Sequence, residues 1–225
     1  LAIHSGDNTV AIKRRDIILE VSLALFNQEG EANLSAVDIA NELDISPGNL
    51  YYHFKGKEEI VPALYMQFES GVLAVLEDIR EAGDTLEEHW LHLYVLLEYL
   101  YQYRFFFRNI TDLLLKYSVI EARFLRLMEQ QYQSIRTMLH QLLDDSGVAE
   151  SGLKSAPVDE LSDSMMLIYT HWFEFQQLRK QKLGQHEFIQ SAILQIMTLL
   201  APYMGDQQRQ FTAECNVLYQ REKQG

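Results

Sequence analysis

Apolar side chains in this chain recur at intervals of three and four, and nowhere does a two-residue alternation persist, so packed helices must carry the core. Between Lys13 and Glu29 the stripe is Ile17, Ile18, Val21, Ala24 and Leu25, and Gly30 closes it. Ser35, with Asp38 three residues on, has the form of a capping box and opens a short helix to Leu43. Ser46-Pro47 reads as an N-cap followed by the helical position where proline is favoured, because its missing N–H would be unpaired anyway. Lys55-Gly56 stops that third helix near Phe54, and a longer one follows through Ile60, Leu64, Phe68, Val72, Val75 and Ile79. Thr85 and Glu88 repeat the capping-box spacing. Further helices are expected to break at 82–84, 103–106, 144–156, 182–184 and 205–206, with a polar-faced terminal helix from Gln207. Eleven glycines and four prolines are few for 225 residues, which makes the turns few and the helices long.

The most informative spacing is the gap Asp44-Ile45-Ser46 between the helices at 36–43 and 47–53, which suits a helix-turn-helix. Small Ala40 stands where the two helices would cross, and Ile39, Leu43, Ile45 and Leu50 can face the helix before them. The residue after Leu43 should adopt the left-handed conformation, in which Asp is tolerated. On spacing alone an ordinary helical corner fits as well. The run from Ile39 to Glu58, with the turn, Gly48, Leu50-Tyr51, His53-Phe54 and Lys57 all in register, resembles the DNA-binding domain of the TetR family of bacterial regulators. The resemblance implies an all-α fold, with a three-helix helix-turn-helix domain at residues 1–56. A long helix would join it to a helical bundle at 57–225 that binds a ligand and dimerises.

Carried onto this sequence, the resemblance makes the helix at Pro47 the recognition helix, with Pro47, Gly48, Asn49, Tyr51 and Tyr52 facing the major groove and Ser46 at its cap. Asn can pair bidentately with adenine, and Tyr offers one hydroxyl and an apolar edge. His53 and Lys57 match family positions that grip phosphate, and Ser35 is a further phosphate candidate. Lys13, Arg14 and Arg15 stand where relatives have a basic arm. Each has a plainer alternative: Tyr51 packed on the fourth helix, His53 as a cap, and 13–15 as a solvated terminus. The net charge of −13, with five basic against ten acidic side chains in residues 1–60, requires any DNA-binding face to be local. Pro47-Gly48-Asn49 also lacks a cation that many relatives have, so modest and strongly salt-dependent affinity is expected.

The aromatic-rich remainder reads as core, while the resemblance implies an effector cavity, for which Trp90, Tyr94, Phe107, Tyr169, His171 and Trp172 are the candidates. In relatives the last two long helices form a four-helix dimer interface. Here they correspond to 157–180 and 185–203, with Phe188, Ala192, Ile193, Ile196, Leu199 and Leu200 as the stripe. Glu88, His89 and His92 lie within one turn but make no Glu-x-x-His pair, so a surface location is expected rather than a metal site. No cofactor is expected. No uninterrupted apolar run approaches the ~18 residues of a spanning helix, residues 1–12 lack the layout of a signal peptide, and the single Cys215 fits a reducing compartment, so a cytoplasmic protein is expected. The reading is a sequence-specific transcriptional regulator, a homodimeric repressor released from a pseudo-palindromic operator in double-stranded DNA by a small-molecule effector. The alternatives are a ligand-independent, DNA-bound interaction factor and a helical-bundle enzyme.

Overall fold

Three helix starts fall where the side chains of Ser35, Ser46 and Thr85 satisfy backbone groups that a helix would leave unpaired. The computed structural model describes residues 5–81, 85–144 and 157–204 with Ala213 and Val217, excepting the side chains of 5–13, 79–81, 86 and 144. These residues form helices α1 (Ser5–Glu29), α2 (Ala36–Glu42), α3 (Pro47–His53), α4 (Lys57–Glu81) and α5 (Leu86–Gln102). There follow α6 (Phe105–Arg108), α7 (Ile110–Lys116), α8 (Ser118–Asp144), α9 (Val158–Leu178) and α10 (Gln185–Leu200). Tight turns of 3-10 helix sit at Glu31–Asn33 and Ala201–Tyr203, and no strand occurs among the described residues. The terminal helix expected from Gln207, the breaks at 82–84, 145–156 and 205–206, Cys215 and the Lys13 side chain lie outside the described residues.

The chain divides into two compact units, Leu1–Ser70 with Tyr103–Phe124, and Gly71–Gln102 with Leu125–Gly225. The functional boundary expected at 56/57 therefore differs from the packing boundary, because the first half of α4 and all of α6 and α7 pack with the N-terminal helices. In the first unit Ile18, Phe26, Ile39, Ala40, Leu50 and Phe54 are fully buried. The Phe105 backbone N–H donates to Asn27 Oδ1 at 3.1 Å, and the Phe26 and Phe105 rings lie 5.2 Å apart, so α6 is fastened to α1. Sequence periodicity resolves only a break near 103–106. The three consecutive buried rings Phe105, Phe106 and Phe107 have no helical period to betray a four-residue helix. The first helix also begins at Ser5, eight residues before the expected Lys13.

In the second unit α5, α9 and α10 form the centre, with Phe188, Ile189, Ala192 and Ile193 of α10 inside. Trp172 Nε1 of α9 donates to Ser191 Oγ of α10 at 3.1 Å. Gly71 lets α4 approach α5 closely: a Cβ there would fall 2.2 Å from Tyr99 Cε1. The segment Lys57–Asp78 is long and apolar enough to cross a membrane, but 56% of its most apolar window is buried inside the protein, as in a core helix.

Candidate nucleic-acid interface and ligand cavity

The presentation of α3 begins with its caps. The Asn49 N–H donates to Ser46 Oγ at 3.2 Å, and Pro47 occupies the first turn. On α2, Ser35 Oγ accepts from the Asp38 N–H at 3.2 Å, while the Ser35 N–H and hydroxyl both donate to Asp38 Oδ2, at 2.7 and 2.6 Å. The hydrogen bonds from the Ser35 hydroxyl and backbone hold the Asp38 carboxyl below its usual pKa. Asp44 takes φ +51°, the left-handed turn expected of it, and the Ile45 N–H donates to the Ala40 carbonyl at 3.0 Å. Leu50 is 0% exposed and pins α3 inward, so Ser46, Pro47, Gly48, Asn49 and Tyr51 are exposed and Tyr52, at 81%, is almost entirely so.

Four of the proposed phosphate groups have structural partners. Lys57 Nζ donates to the Glu31 carbonyl at 2.7 Å and contacts Glu31 Oε1 at 2.8 Å, with its side chain only 14% exposed, which corrects its assignment as a free phosphate grip. Arg15 Nη1 donates to the His53 carbonyl at 2.8 Å, and its guanidinium lies 4.0 Å above the Phe54 ring, so it closes the C-terminus of α3 onto α1. His53 is half-buried, with the Tyr52 ring edge-on at 5.0 Å, and the Ser35 hydroxyl is engaged by Asp38. Arg14 and Lys55 are exposed cations on this unit. Lys55, which the family resemblance does not single out, lies between α3 and α4 beside the exposed face of α3.

Glu31 gathers this side of the unit. Besides Lys57, it meets Lys116 Nζ at 2.8 Å and accepts from the Tyr117 hydroxyl at 2.6 Å, thereby joining the turn after α1 to α4, α7 and the residue preceding α8. Burial alone would raise the Glu31 pKa, but hydrogen bonds from Lys116, Lys57 and Tyr117 outweigh it and hold the carboxyl below its ordinary value. Burial, and then the hydrogen bond to Glu31, push the Tyr117 hydroxyl strongly upward.

A cavity of about 40 Å³ in the second unit opens into about 600 Å³ of space between side chains, part of it open to solvent. His89, His92, Leu93, Leu96 and Leu97 line it from α5, Gln131, Ser134, Ile135 and Met138 from α8, and Met165, Met166 and Tyr169 from α9. Leu76 and Ile196 complete the wall. Burial pushes the Tyr169 hydroxyl upward in pKa despite its hydrogen bond with Gln131, so it stays neutral. Of the six expected effector contacts only Tyr169 lines this cavity. Trp90 and Tyr94 do not, Phe107 packs in the first unit with its ring 5.6 Å from that of Phe68, Trp172 is tied to Ser191, and His171 is exposed. His89 and His92, expected at the surface, are instead a buried and a half-buried part of this wall. Their i, i+3 spacing was visible in the sequence, but nothing in it fixed which face of α5 points inward.

The expected dimer stripe also needs correction. Phe188, Ala192, Ile193, Ile196 and Leu200 are buried within the chain itself, and Leu199 is half-buried, because this face of α10 packs inward. Among the described residues the outward apolar side chains of these helices are Leu167 (62% exposed), Phe175 and Leu178 (76%) on α9, and Leu194 on α10.

Comparison with known proteins bears on both parts. Residues 18–64 match the model for bacterial regulatory proteins of the tetR family, and residues 67–211 match the TetR model described as a bacterial transcriptional repressor. The "Probable HTH-type transcriptional regulator YttP" of Bacillus subtilis is 24% identical over 165 residues, covering 70% of this chain and 78% of that protein. An HTH-type transcriptional regulator of Staphylococcus aureus is 31% identical over 94 residues, 42% of this chain and 49% of its own length. The crystal structure of a TetR-family transcriptional regulator from Marinobacter aquaeolei superposes with a TM-score of 0.77 at 29% identity, over 92% of this chain and 98% of the other.

Proposed function

The chain belongs to the TetR family of bacterial transcriptional regulators, and from that premise we propose that it reads a pseudo-palindromic operator as a homodimer and releases it when a small molecule occupies the second unit's cavity. The observation that carries the reading is α3 itself. A helix pinned by one buried leucine presents Asn49, Tyr51 and Tyr52 outward from capped, satisfied ends. Asn49 is the candidate for adenine, Tyr51 and Tyr52 for a base edge or thymine methyl, and Lys55, Arg14 and the N–H groups at the start of α4 for phosphate. The acidic total of −13 is no obstacle where the local face carries these groups, and the protein acts in the cytoplasm, where it meets its operator.

The second copy docks on the outward face of α9 and α10, over Leu167, Phe175, Leu178 and Leu194, and two reading helices then meet half-sites about 34 Å apart or a multiple of that. Release follows from linkage: an effector that prefers a form with misplaced reading helices lowers operator affinity by its differential affinity, ~1–3 kcal/mol. Helix α4 runs through both units, and α5 and α8, which line the cavity, are joined through the segment that carries Lys116 and Tyr117 to Glu31. A cavity with polar groups in its wall favours the effector reading over a ligand-independent interaction factor, and the named relatives are regulators rather than enzymes.

Sedimentation at micromolar concentration should give a two-chain particle, and a 26.2 kDa particle would remove the dimer. Fluorescence anisotropy with an operator duplex should show binding that weakens steeply between low and moderate salt. An alanine scan of 64–75 on α4 should weaken induction.

A further inference from the structure

We propose that the cavity of the second unit takes a neutral, mostly hydrocarbon small molecule with a single hydrogen-bonding end, and that His92 receives that end. The proposal rests on reading this cavity as the effector site and goes on to specify the chemistry of the occupant.

Three observations converge on it. First, none of the described residues lining the cavity is Asp, Glu, Lys or Arg, so a permanently charged ligand would leave water without a counter-ion, and a phosphate or quaternary ammonium group is disfavoured. Secondly, the polar groups of the wall come in two short pairs, His89 with His92 on α5 and Gln131 with Ser134 on α8, each pair about one turn apart and so on one helix face. Gln131 already interacts with the Tyr169 hydroxyl. Thirdly, His92 Nδ1 is closed off from solvent and has no hydrogen-bond partner among the described residues. A buried ring nitrogen left unpaired is costly, and a ligand group that completes it recovers that cost on binding.

The identity of the ligand's end follows from the nitrogen. In one tautomer Nδ1 accepts, in the other it donates, so a hydroxyl satisfies either and a ketone or ester carbonyl satisfies the donor form. The rest of the ligand is set by the remaining wall, which apart from Tyr169 is leucine, isoleucine and methionine. About 40 Å³ holds little more than a water or two, so a ten-carbon molecule must widen the site. Met138, Met165 and Met166 can do this, since unbranched thioether chains repack without strain.

The test is calorimetry on the full-length protein without DNA, using four probes with chains of ten or eleven carbons: 2-undecanone, 1-decanol, decanoate at pH 8 and decyltrimethylammonium. The ketone and the alcohol should bind, and the two charged probes should bind at least about tenfold more weakly. His92→Phe should weaken the ketone and the alcohol about tenfold with operator affinity unchanged, and His92→Gln should recover part of the loss. If His92→Phe does not fold, the smaller His92→Leu carries the same comparison. Decanoate or the ammonium probe binding as tightly as the ketone overturns the proposal, as does no binding by any probe or an unchanged His92→Phe. Operator release is read separately by anisotropy. Ketone binding without release sinks the effector reading and leaves the cavity chemistry standing, whereas release by decanoate alone does the reverse.

Discussion

The reading head and the cavity-bearing unit use their polar residues in opposite ways. In the head, short helices have their backbone ends satisfied by Ser35, Asp38 and Ser46, so Asn49, Tyr51 and Tyr52 can face water with nothing left to do inside. In the second unit His92, Gln131, Ser134 and Tyr169 face a void within an apolar bundle. A surface that meets a polyanion must be assembled before its partner arrives, and a cavity that meets an apolar molecule can remain partly unsatisfied until then. The head also spends its cations on itself. Lys57 and Lys116 are bound to Glu31, and Arg15 to the His53 carbonyl, so rigidity of the head and attraction to phosphate compete for the same side chains.

Breaking the head's internal pairing should have the largest effect. Glu31→Gln leaves two ammonium groups without their carboxylate, and unfolding by urea should show a loss of about 3–5 kcal/mol. The same group sets an acid dependence. Because the folded-state pKa of Glu31 lies below its unfolded value, its stabilising share is complete above the ordinary carboxylate range, near pH 4.5, and is lost as pH falls through the lower folded value. Wild-type protein should therefore lose stability below about pH 4.5. Glu31→Gln should lack that part of the slope, and identical pH profiles would refute the role given to Glu31.

Next come the outward side chains. Asn49→Ala should cost operator affinity about 1–3 kcal/mol and relax preference at one base position, whereas Lys55→Ala should weaken all duplexes alike and flatten the salt dependence. Both are read by anisotropy with cognate and scrambled duplexes, and the two units part company here because neither change should alter ligand binding. In the other unit, Gly71→Ala must displace the Tyr99 ring and should lower stability by about 1–2 kcal/mol, with operator contacts intact in the folded fraction. Ser46→Ala removes one cap from α3 and should cost about 1 kcal/mol, the smallest of these changes in thermal unfolding.

The two units also differ in how far their sequences disclose them. Caps, turn and inward anchors of the head are local, so Ser46, Asp44 and Leu50 could be placed from neighbours within a few residues. The partners of Lys57 and Arg15 could not, because Glu31 and His53 lie 26 and 38 residues away. The partner of the apolar face of α10 is hidden from the sequence for a similar reason. A strong apolar stripe identifies a buried face but does not say whether the chain or its copy buries it, and here α5 and α9 do so. His89 and His92 form no Glu-x-x-His pair and so read as surface residues, and only the packing of α5, α8 and α9 turns them inward.

Selection of bound duplexes from a random pool is the sharpest test of whether α3 reads a two-fold operator. One enriched pseudo-palindrome is expected, with half-site centres about 34 Å, or a multiple of it, apart, and Asn49→Ala should lose preference at one position per half-site. Recovery of no sequence, of an asymmetric single site, or of the same palindrome with undiminished preference from Asn49→Ala with Tyr52→Ala would contradict it.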